Sequence, residues 1–510
     1  MRKEFLHSTQ DTIAAISTPV GESGIGIVRL SGKKALSIAD KVFVPKSKGK
    51  VTGFKTYTVH YGHVVRQKTE DRRQKTEDGR QKTEDRRQKT EDGRQKTEDR
   101  RQKTEDGRQK TEVIDEVILT VMKAPRSYTR EDVVEINCHG GIVALGKTLE
   151  LVLKKGARMA QPGEFTKRAF INGRIDLAQA EAVLDIIKSK TENSMKIAQA
   201  QLEGELSKKI RGLRKSLISV LAELEARIDF SEDDIEFAPR DAILKTLQEA
   251  EKKIKEMVKD SKKGMLFKEG VLCVICGKPN TGKSSLMNAF LNRQRVIVTP
   301  VAGTTRDAVE EEVVLGGMPV RIADTAGISN TRGIVERHGI KRARSYIRRA
   351  DLVLFMLDIG KRWTGEDSRI LKDIKGKEKI VIANKKDLRK KLDTGSVKKL
   401  TGEKSIIEIS VLKRKNLETV EKAILEKIWR GRVPQPEGSF VTSLRQAREL
   451  AEAHKRVEKA LTLLKRASSG AWEISALLIR EAEFFLGSIL GDSIEPDILG
   501  RVFEKFCIGK

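Results

Sequence analysis

Short apolar runs separated by turn residues dominate the first third of the chain. They predict the strands of a small α+β domain that ends near Gly173. The five runs are residues 12–16, 25–30, 57–65, 113–122 and 133–137. The first domain is therefore expected to occupy residues 1–173.

Beyond this domain, apolar residues recur every three or four positions, which is typical of amphipathic helices. One stripe over residues 202–228 predicts a single long helix, and residues 243–257 predict another. The same spacing returns near the end of the chain. Residues 174–268 and 432–510 are thus expected to form one discontinuous helical domain.

Between these two helical stretches, strand-length apolar runs alternate with helical spacing. This alternation predicts a doubly wound α/β domain over residues 269–431. Because helices precede and follow it, we expect this domain to be inserted into the helical one. The predicted fold class is therefore multidomain, α/β and α+β.

A tandem heptapeptide occupies residues 66–112, alternating RQKTEDR with RQKTEDG. None of its seven positions is apolar, so a coiled coil has no seam to bury. The composition predicts a solvated, largely disordered insertion between two strands of the first domain. We assign no function to it.

A phosphate-binding loop follows the apolar run 271–276. Residues 277–284 read GKPNTGKS, a spacing whose glycines let backbone N–H groups surround phosphates at a helix N-terminus. In this pattern Lys283 reaches the β- and γ-phosphate oxygens and Ser284 binds Mg²⁺. The predicted GTP contacts of the loop are Asn280, Thr281, Gly282, Lys283, Ser284 and Ser285.

Four further segments follow in the order of a Ras-like GTPase domain. They read GTTRD (303–307), DTAG (324–327), NKKD (384–387) and ISV (409–411). The carboxylate of Asp387 accepts both N1–H and N2–H of guanine, whereas adenine leaves it unpaired, so the site selects guanine. Thr305 is the second predicted Mg²⁺ ligand. The other predicted GTP contacts are Thr299, Pro300, Val301, Ala302, Gly303, Thr304, Thr305, Asp324, Thr325, Ala326, Gly327, Asn384, Lys385, Lys386, Asp387 and Ser410.

One position departs from the pattern of small GTPases. Ile328 stands where Ras-like proteins carry the glutamine that orients the attacking water. Isoleucine cannot hydrogen-bond water, so another residue must do so or hydrolysis is slow. The chain offers Glu336 a few residues downstream. The predicted catalytic residues are Glu336, Arg306 and Cys507.

Composition narrows the class of protein. A formal net charge of +28 over 510 residues suggests an anionic partner such as nucleic acid, although a lysine-rich proteome can also solvate its surfaces in this way. No apolar run has the length of a membrane span, and no signal peptide is visible, so a cytoplasmic protein is expected. Cys273 and Cys276 lie within a strand and are expected to be buried, not redox-active or zinc-binding.

Segments at both ends separate the chain from other GTPases. They are APRSYTREDVVE (124–135), CHGG (138–141), PGEFTKRAF (162–170), DLAQAEA (176–182) and the ending FCIGK (506–510). These segments resemble the MnmE (TrmE) family of tRNA-modification GTPases. The resemblance covers the whole chain except the heptapeptide insertion.

The resemblance implies a cytosolic homodimer joined through its N-terminal domains. It also implies joint action with the flavoprotein MnmG, which builds an aminomethyl or carboxymethylaminomethyl group on C5 of the wobble uridine (U34) of certain tRNAs. The N-terminal domain of the family binds 5-formyl-tetrahydrofolate or a related tetrahydrofolate. The implied folate-site residues are Arg29, Glu135, Arg174 and Lys510: cations suit folate's carboxylates, and Glu135 suits the pterin N–H donors.

The family's GTPase domain uses K⁺ in place of an arginine finger. The residues that match its K⁺ site are Asn280, Thr299, Val301 and Thr304, and Glu336 matches its water-orienting glutamate. Val411 replaces the alanine usual in the fifth segment, and the insertion enlarges a loop of the dimerising domain. Both departures make dimer geometry harder to predict than nucleotide chemistry.

Two other functions are compatible with the five nucleotide segments. An rRNA-binding ribosome-assembly GTPase of the Era or Der type shares them, but no KH-type Gly-x-x-Gly context and no second phosphate loop is visible in this sequence. A nucleotide sensor that does not hydrolyse GTP requires Glu336 to lie away from the nucleotide. Coupling of GTP hydrolysis to tRNA modification is the leading hypothesis.

Overall fold

The chain divides into two compact units, described by a computed structural model. One unit contains Met1–Asp176 and Glu495–Lys510, and the other contains Leu177–Ile494. The structure describes residues 11–67, 111–230, 237–294, 310–324, 343–429, 440–466, 471–493 and 496–510.

Both units combine strands and helices. The strands are β1 (Ile13–Ile16), β2 (Gly26–Ser31), β3 (Phe43–Pro45), β4 (Thr58–Gln67), β5 (Thr111–Met122), β6 (Val133–Cys138), β7 (Arg158–Met159), β8 (Val271–Cys276), β9 (Glu310–Leu315), β10 (Met318–Asp324), β11 (Leu352–Asp358), β12 (Lys379–Asn384) and β13 (Ile406–Glu408). The helices are α1 (Ala35–Val42), α2 (Ile142–Lys154), α3 (Glu164–Ile171), α4 (Leu177–Lys188), α5 (Glu192–Leu202), α6 (Glu205–Asp229), α7 (Arg240–Glu269), α8 (Lys283–Gln294), α9 (Gly365–Asp373), α10 (Thr394–Thr401), α11 (Leu417–Trp429), α12 (Leu444–Arg466), α13 (Ala471–Leu490) and α14 (Pro496–Phe503).

The first unit is built on a seven-stranded sheet in the order β3-β4-β5-β6-β2-β1-β7. Neighbouring strands are antiparallel except for the parallel pair β1–β7. All five strands predicted from the apolar runs are present. One face is covered by α1 and α2, where the side chains of Leu30, Ile38, Leu119, Ile136 and Leu145 are buried. Burial of this apolar face stabilises the sheet.

The opposite face of the sheet is covered only in part. Over β1 it packs against Phe165 of α3, which lies in a buried cluster with Ile13 and Ala15. Over β3–β5 none of the described residues covers it, and large apolar side chains are exposed there. These side chains are Val44 (48%), Val59 (64%), Tyr61 (47%) and Ile118 (43%).

A buried arginine organises the segment that reads PGEFTKRAF. Arg168 has 1% of its side chain exposed and forms ion pairs with Asp11 (2.6 Å), Glu164 (3.0 Å) and Glu131 (3.2 Å). Because a buried charge is costly unless paired, this segment is held by its contacts to two other parts of the unit. These ion pairs therefore account for the burial of Arg168 by a structural role.

The end of the chain packs against α3 in the first unit. Phe503 and Phe506 are buried, and the Phe503 ring lies 6.5 Å from that of Phe170. Gly163 adopts φ +66°, and its N–H donates to the Cys507 carbonyl at 3.3 Å. The sequence placed all of residues 432–510 in the helical domain, but the last sixteen, Glu495–Lys510, group with the first unit. Apolar rings at the end of the chain account for this difference, because they bury against α3.

Helices from both sides of the α/β domain share one core in the second unit. Residues Leu217 of α6, Leu247 of α7, Leu450 of α12 and Ile479 of α13 are fully buried in it. This cluster confirms the predicted discontinuous helical domain with the α/β domain inserted. The core is apolar at the three- and four-residue spacing that the sequence displays.

The helix predicted over residues 202–228 is present as α6, but it begins three residues later than predicted, because Leu202 belongs to α5. α5 ends at Leu202, and α6 begins at Glu205 after Gly204, which adopts the left-handed φ of +86°. The chain bends there because glycine takes this conformation without a Cβ clash. The apolar spacing continues across the bend, so periodicity alone did not reveal it. α7 is also longer than the predicted 243–257.

The α/β domain contains a six-stranded sheet in the order β13-β12-β11-β8-β10-β9. All neighbours are parallel except β9 and β10. β8 and β11 are buried along their whole length, which explains their continuous apolar sequences, because helices cover both faces of such a sheet. The carboxyl ends of the parallel strands meet at one edge, where ligands bind in folds of this type.

Cys273 and Cys276 are buried in β8, as predicted, and neither forms a disulfide. Burial raises the pKa of Cys276 to about 12 and that of Cys273 further, so both thiols are neutral packing groups. Among the helices that the structure describes, none is long and apolar enough to cross a membrane.

Candidate functional site

The phosphate loop joins β8 to α8 through three residues with positive φ. These are Gly277 (+154°), Asn280 (+62°) and Gly282 (+96°). A Cβ at Gly277 would lie 2.3 Å from the Met356 carbonyl oxygen, and a Cβ at Gly282 would lie 2.3 Å from the Asn384 amide nitrogen. Both positions therefore require glycine, which confirms the loop that the spacing predicted.

Lys283, the first residue of α8, is enclosed by this loop. Its Nζ donates to the carbonyl oxygens of Gly277 at 2.9 Å and Lys278 at 2.8 Å, and 5% of the residue is exposed. Burial lowers the pKa of Lys283, because the charged amine loses solvation. The loop holds a cation at the N-terminus of a helix, an arrangement that attracts phosphate oxygens.

A hydroxyl and a carboxylate meet beside this lysine. Ser284 Oγ donates to Asp324 Oδ2 at 2.5 Å, and Asp324, the last residue of β10, is 2% exposed. β8 and β10 are parallel neighbours, which brings Asp324 to the same sheet edge as the phosphate loop. Both groups offer the hard oxygen ligands that Mg²⁺ prefers. Ser285 follows in the first turn of α8, where it is exposed.

The NKKD segment begins with a buried amide that connects two loops. Asn384 ends β12 and donates from Nδ2 to the Thr281 carbonyl at 2.9 Å, and its Oδ1 accepts the Val411 N–H at 3.1 Å. Val411, which replaces the usual alanine, takes part through its backbone, so the replacement leaves this contact intact. Asn384 thereby links the phosphate loop to the fifth segment.

The base-recognition carboxylate is held by the fifth segment. Ser410, which is 1% exposed, donates its hydroxyl to Asp387 Oδ1 at 2.5 Å. This hydrogen bond keeps the pKa of Asp387 below its usual value, so the carboxylate remains ionised. The Lys386 N–H donates to the Ile409 carbonyl at 2.9 Å, which ties the two segments together. An ionised Asp387 is the acceptor that guanine requires.

The tertiary structure adds Asp358, which the sequence analysis did not single out. It ends β11, is 4% exposed, and accepts from Lys385 Nζ at 2.7 Å and from the Gly360 N–H at 2.9 Å. Lys385 itself adopts φ +67°. Asp358 therefore holds the lysine of NKKD in place. Asp358, like Asp324, directly follows an apolar run and ends its strand, and this position was the sequence signal for a site residue.

Some predicted site residues lie outside the described residues. They are Thr299, Pro300, Val301, Ala302, Gly303, Thr304, Thr305, Arg306, Thr325, Ala326, Gly327 and Glu336, together with Ile328. The predictions for these positions stand as predictions.

The predicted folate residues lie in the first unit. Arg29 of β2 and Glu135 of β6 are cross-strand partners, and Arg29 Nε donates to Glu135 Oε1 at 2.8 Å. Arg29 also donates to the Gly509 carbonyl at 3.1 Å. Gly509 adopts φ +97°, and its neighbour Lys510 is half-buried. Arg29 therefore connects Glu135 to the end of the chain.

Two aromatic rings support the arginines of this region. The guanidinium of Arg29 lies 5.6 Å from the Phe165 ring centroid, and that of Arg174 lies 4.7 Å from the Tyr128 ring centroid. Tyr128 packs against the cluster that contains Phe165. Burial raises the pKa of Tyr128, while its hydrogen bond with Thr166 and the positive charges of both arginines oppose that shift. The positive charges of Arg29 and Arg174 thus both act on the Tyr128 side chain.

Cys507 is exposed, and the other three cysteines are buried. Its carbonyl oxygen accepts the N–H groups of Gly163 at 3.3 Å and Lys510 at 3.4 Å. The backbone of Cys507 is thus held by hydrogen bonds while its thiol is accessible. This arrangement leaves the thiol available for chemistry.

Comparison with known proteins gives matches along the chain. A family model described as the MnmE helical domain matches residues 177–507, and one described as the GTP-binding protein TrmE N-terminus matches residues 12–79 and 73–174. Among solved structures, GDP·AlF4⁻-bound Era from Aquifex aeolicus is 29% identical, with 38% of this chain and 67% of that chain covered and a TM-score of 0.26.

Curated relatives match over nearly their whole length. A tRNA modification GTPase MnmE from Alkaliphilus oremlandii is 41% identical over 507 residues, covering 98% of this chain and 99% of the relative. The MnmE of Bacillus subtilis is 39% identical over 502 residues, covering 98% of this chain and 100% of the relative. With the guanine-nucleotide site in place and both family models matched, the chain belongs to the MnmE family of tRNA modification GTPases.

Proposed function

We propose that this GTPase couples GTP hydrolysis to the addition of an aminomethyl or carboxymethylaminomethyl group at C5 of the wobble uridine U34 of tRNA, together with an MnmG-type flavoprotein. The observation that carries the proposal is the near full-length match to MnmE proteins, combined in one chain with a guanine-selective site. A tRNA substrate also accords with the net charge of +28. The proposed location is the cytoplasm, where tRNA is modified.

Mg²⁺ is the first proposed cofactor of the nucleotide site. Ser284 holds it directly, with Thr305 as the second ligand, and Asp324 acts through water. The 2.5 Å contact between the Ser284 hydroxyl and the buried Asp324 carboxylate supports this assignment, because it puts the proposed metal-binding hydroxyl beside a carboxylate that can hold a metal-bound water. When bound at these residues, Mg²⁺ would supply positive charge beside the β- and γ-phosphates.

K⁺ is the second proposed cation, with Asn280, Thr299, Val301 and Thr304 as ligands. Asn280 supports the proposal through its position, since it lies in the phosphate loop with the left-handed φ of +62° that is unusual for a residue with a side chain. A cation held there adds positive charge near the transferred phosphate, the role of an arginine finger in other GTPases.

The first unit is the proposed site of a tetrahydrofolate such as 5-formyl-tetrahydrofolate. The proposed folate-site residues are Arg29, Arg174, Lys510 and Glu135, with cations suited to carboxylates and Glu135 suited to the pterin N–H donors. The ion pair between Arg29 and Glu135 supports a charged, partly buried site beside the end of the chain. Because these two side chains touch, both would meet the same end of a folate, whose pterin and carboxylates lie at opposite ends. The folate supplies a one-carbon unit when bound.

A homodimer joined through the first unit is part of the proposal. The sheet face over β3–β5 supports it, because exposed Val44, Val59, Tyr61 and Ile118 form an apolar patch that the Lys46–Glu116 ion pair interrupts, and protein interfaces cover patches of this kind. Val59 lies in the same cross-strand row as Glu135, through Thr120. The apolar patch and the proposed folate site thus share one face of the sheet.

Mass spectrometry of wobble nucleosides tests the proposed function. Cells that lack the protein are complemented with the unmutated chain, with Lys283→Ala or with Arg29→Ala, and Lys33→Ala is the matched surface control. We expect unmodified U34 without the protein and with either site variant, and normal modification with the control. Normal tRNA together with an rRNA-processing defect would instead support a ribosome-assembly function.

A further inference from the structure

Lys278, at a variable position of the phosphate loop, reaches out of the loop to a helix. Its Nζ lies 2.6 Å from Asp367 Oδ2 and 3.1 Å from Thr364 Oγ1. The ion pair is largely shielded from solvent, with 12% of the Lys278 side chain and 2% of the Asp367 side chain exposed. Salt screens such a pair less than a surface pair.

Asp367 is itself held by the start of α9. Thr364, the N-cap residue of α9, donates to Asp367 Oδ2 from its backbone N–H at 2.8 Å and from its hydroxyl at 3.0 Å. The other carboxylate oxygen, Oδ1, is buried and has no hydrogen-bond partner among the described residues. Lys278 is therefore the cation that compensates a buried carboxylate, and α9 is a rigid anchor for it.

The backbone of Lys278 takes part in the nucleotide site. Its carbonyl oxygen accepts both Lys283 Nζ at 2.8 Å and Thr281 Oγ1 at 2.9 Å. Two residues later, Asn280 adopts the left-handed φ of +62°, a conformation that asparagine tolerates better than most residues with a Cβ. The Lys278 side chain connects this part of the loop to α9, which lies outside the loop.

We propose that the Lys278–Asp367 ion pair is a positioning device that holds the phosphate loop, and Asn280 within it, in the nucleotide-binding conformation. Neither side chain is assigned a contact with the nucleotide, so the pair acts through the loop backbone. The expected effect on nucleotide affinity rests on the membership of the chain in a GTPase family. Any effect on cation dependence rests on the proposed role of Asn280 as a K⁺ ligand.

The test measures the affinity of the full chain for fluorescent GDP and its thermal stability. Lys278→Met and Asp367→Asn should each weaken GDP binding by about tenfold, the equivalent of one charge-assisted hydrogen bond. Lys278→Arg should restore affinity to within about threefold of the unmutated chain, since it keeps the charge and offers a second N–H for Asp367 Oδ1. Lys427→Met removes ion pairs to Glu378 and Glu403 in the same domain, outside every nucleotide segment, and is the control.

The double variant Lys278→Met with Asp367→Asn separates positioning from stability. Removing both charges leaves no unpaired buried carboxylate, so the thermal stability should recover relative to Lys278→Met. The affinity for GDP should stay low, because the contact between the phosphate loop and α9 is still missing. Recovery of affinity along with stability, or single variants that bind GDP as tightly as the unmutated chain, would overturn the proposal. If GTP hydrolysis by the unmutated chain does not depend on K⁺, the proposed cation site is refuted. The GDP measurements still test the positioning role in that case.

Discussion

Asn384 donates its side-chain amide to the carbonyl oxygen of Thr281 at 2.9 Å, and both groups are buried. One residue of the guanine-recognition segment is therefore hydrogen-bonded to the phosphate loop, although the two segments are far apart in the sequence. The same amide accepts the Val411 N–H, so three of the five nucleotide segments meet at one side chain. Base and phosphate recognition are consequently parts of one rigid site.

The first prediction concerns base selectivity. Asp387→Asn should shift preference from guanosine to xanthosine nucleotides, because the amide donates to the xanthine O2 where the carboxylate accepts from guanine. Competition binding with GDP and XDP measures the shift, and Asp393→Asn, in the cap of α10, is the control. Equal affinity of the unmutated chain for ATP and GTP would refute the guanine assignment.

The pKa of Asp387 adds a pH dependence to the same measurement. Because Ser410 lowers this pKa, the carboxylate stays ionised as pH falls past the usual value of 3.8. Guanine preference is therefore fully present above the usual pKa and is lost only as pH falls through the lower one. Ser410→Ala should move that loss to higher pH.

The second prediction concerns the monovalent cation. K⁺ should accelerate GTP hydrolysis well above Na⁺ at equal ionic strength, and Asn280→Ala should remove most of the difference because it removes a proposed K⁺ ligand. Steady-state phosphate release in matched KCl and NaCl measures the effect, and Asn416→Ala is the asparagine control. Turnover that does not depend on the choice of cation would contradict the finger-replacement mechanism.

The third prediction concerns water activation. Glu336→Ala should lower GTP turnover by ~10²–10⁴-fold, the usual worth of a positioned general acid or base, while GDP affinity changes little. If hydrolysis drives the modification cycle, U34 modification should fall in parallel. Single-turnover hydrolysis and wobble-nucleoside analysis provide the two readouts. Normal turnover in this variant would overturn the catalytic assignment, and lost turnover with normal modification would break the proposed coupling.

The fourth prediction concerns Cys507. Cys507→Ser should spare GTP hydrolysis and reduce only tRNA modification. In the native protein Cys507 should be alkylated first, because the other thiols are buried and burial raises the pKa of Cys138 to about 11. Mass spectrometry after brief iodoacetamide treatment measures the order of modification. Preferential labelling of Cys138 would contradict the assignment.

The fifth prediction concerns the heptapeptide insertion. Deleting residues 66–112 should leave folding and GTP hydrolysis intact, because a segment without apolar residues buries no core and loop length costs only about 0.6 kcal/mol per doubling. Deleting 68–110 is the matched variant, since it keeps the pairs Arg66↔Glu112 and Gln67↔Thr111 of β4 and β5. Thermal unfolding and GTP turnover are measured for both. A large drop in melting temperature in either one would show that the repeat packs against the protein.

Local sequence determined the strands and the nucleotide chemistry. β8 and β11 were predictable because strands buried on both faces need continuous apolar residues, and Gly277 and Gly282 because the phosphate-loop spacing places glycine where the backbone takes positive φ. Asp387 was assigned from the NKKD segment and from the hydrogen-bonding edge of guanine. These features depend on residues adjacent in the chain, which is why a single sequence carries them.

Only the tertiary structure decided which distant residues meet. The ion pair of Lys278 with Asp367 and the hydrogen bond of Arg29 with Gly509 join residues far apart in sequence, and no local pattern encodes such contacts. The bend at Gly204 was hidden because apolar spacing continues across it. The packing of the C-terminal residues was also not predictable, because burying Phe503 and Phe506 against α3 depends on the shape of a surface that distant segments build.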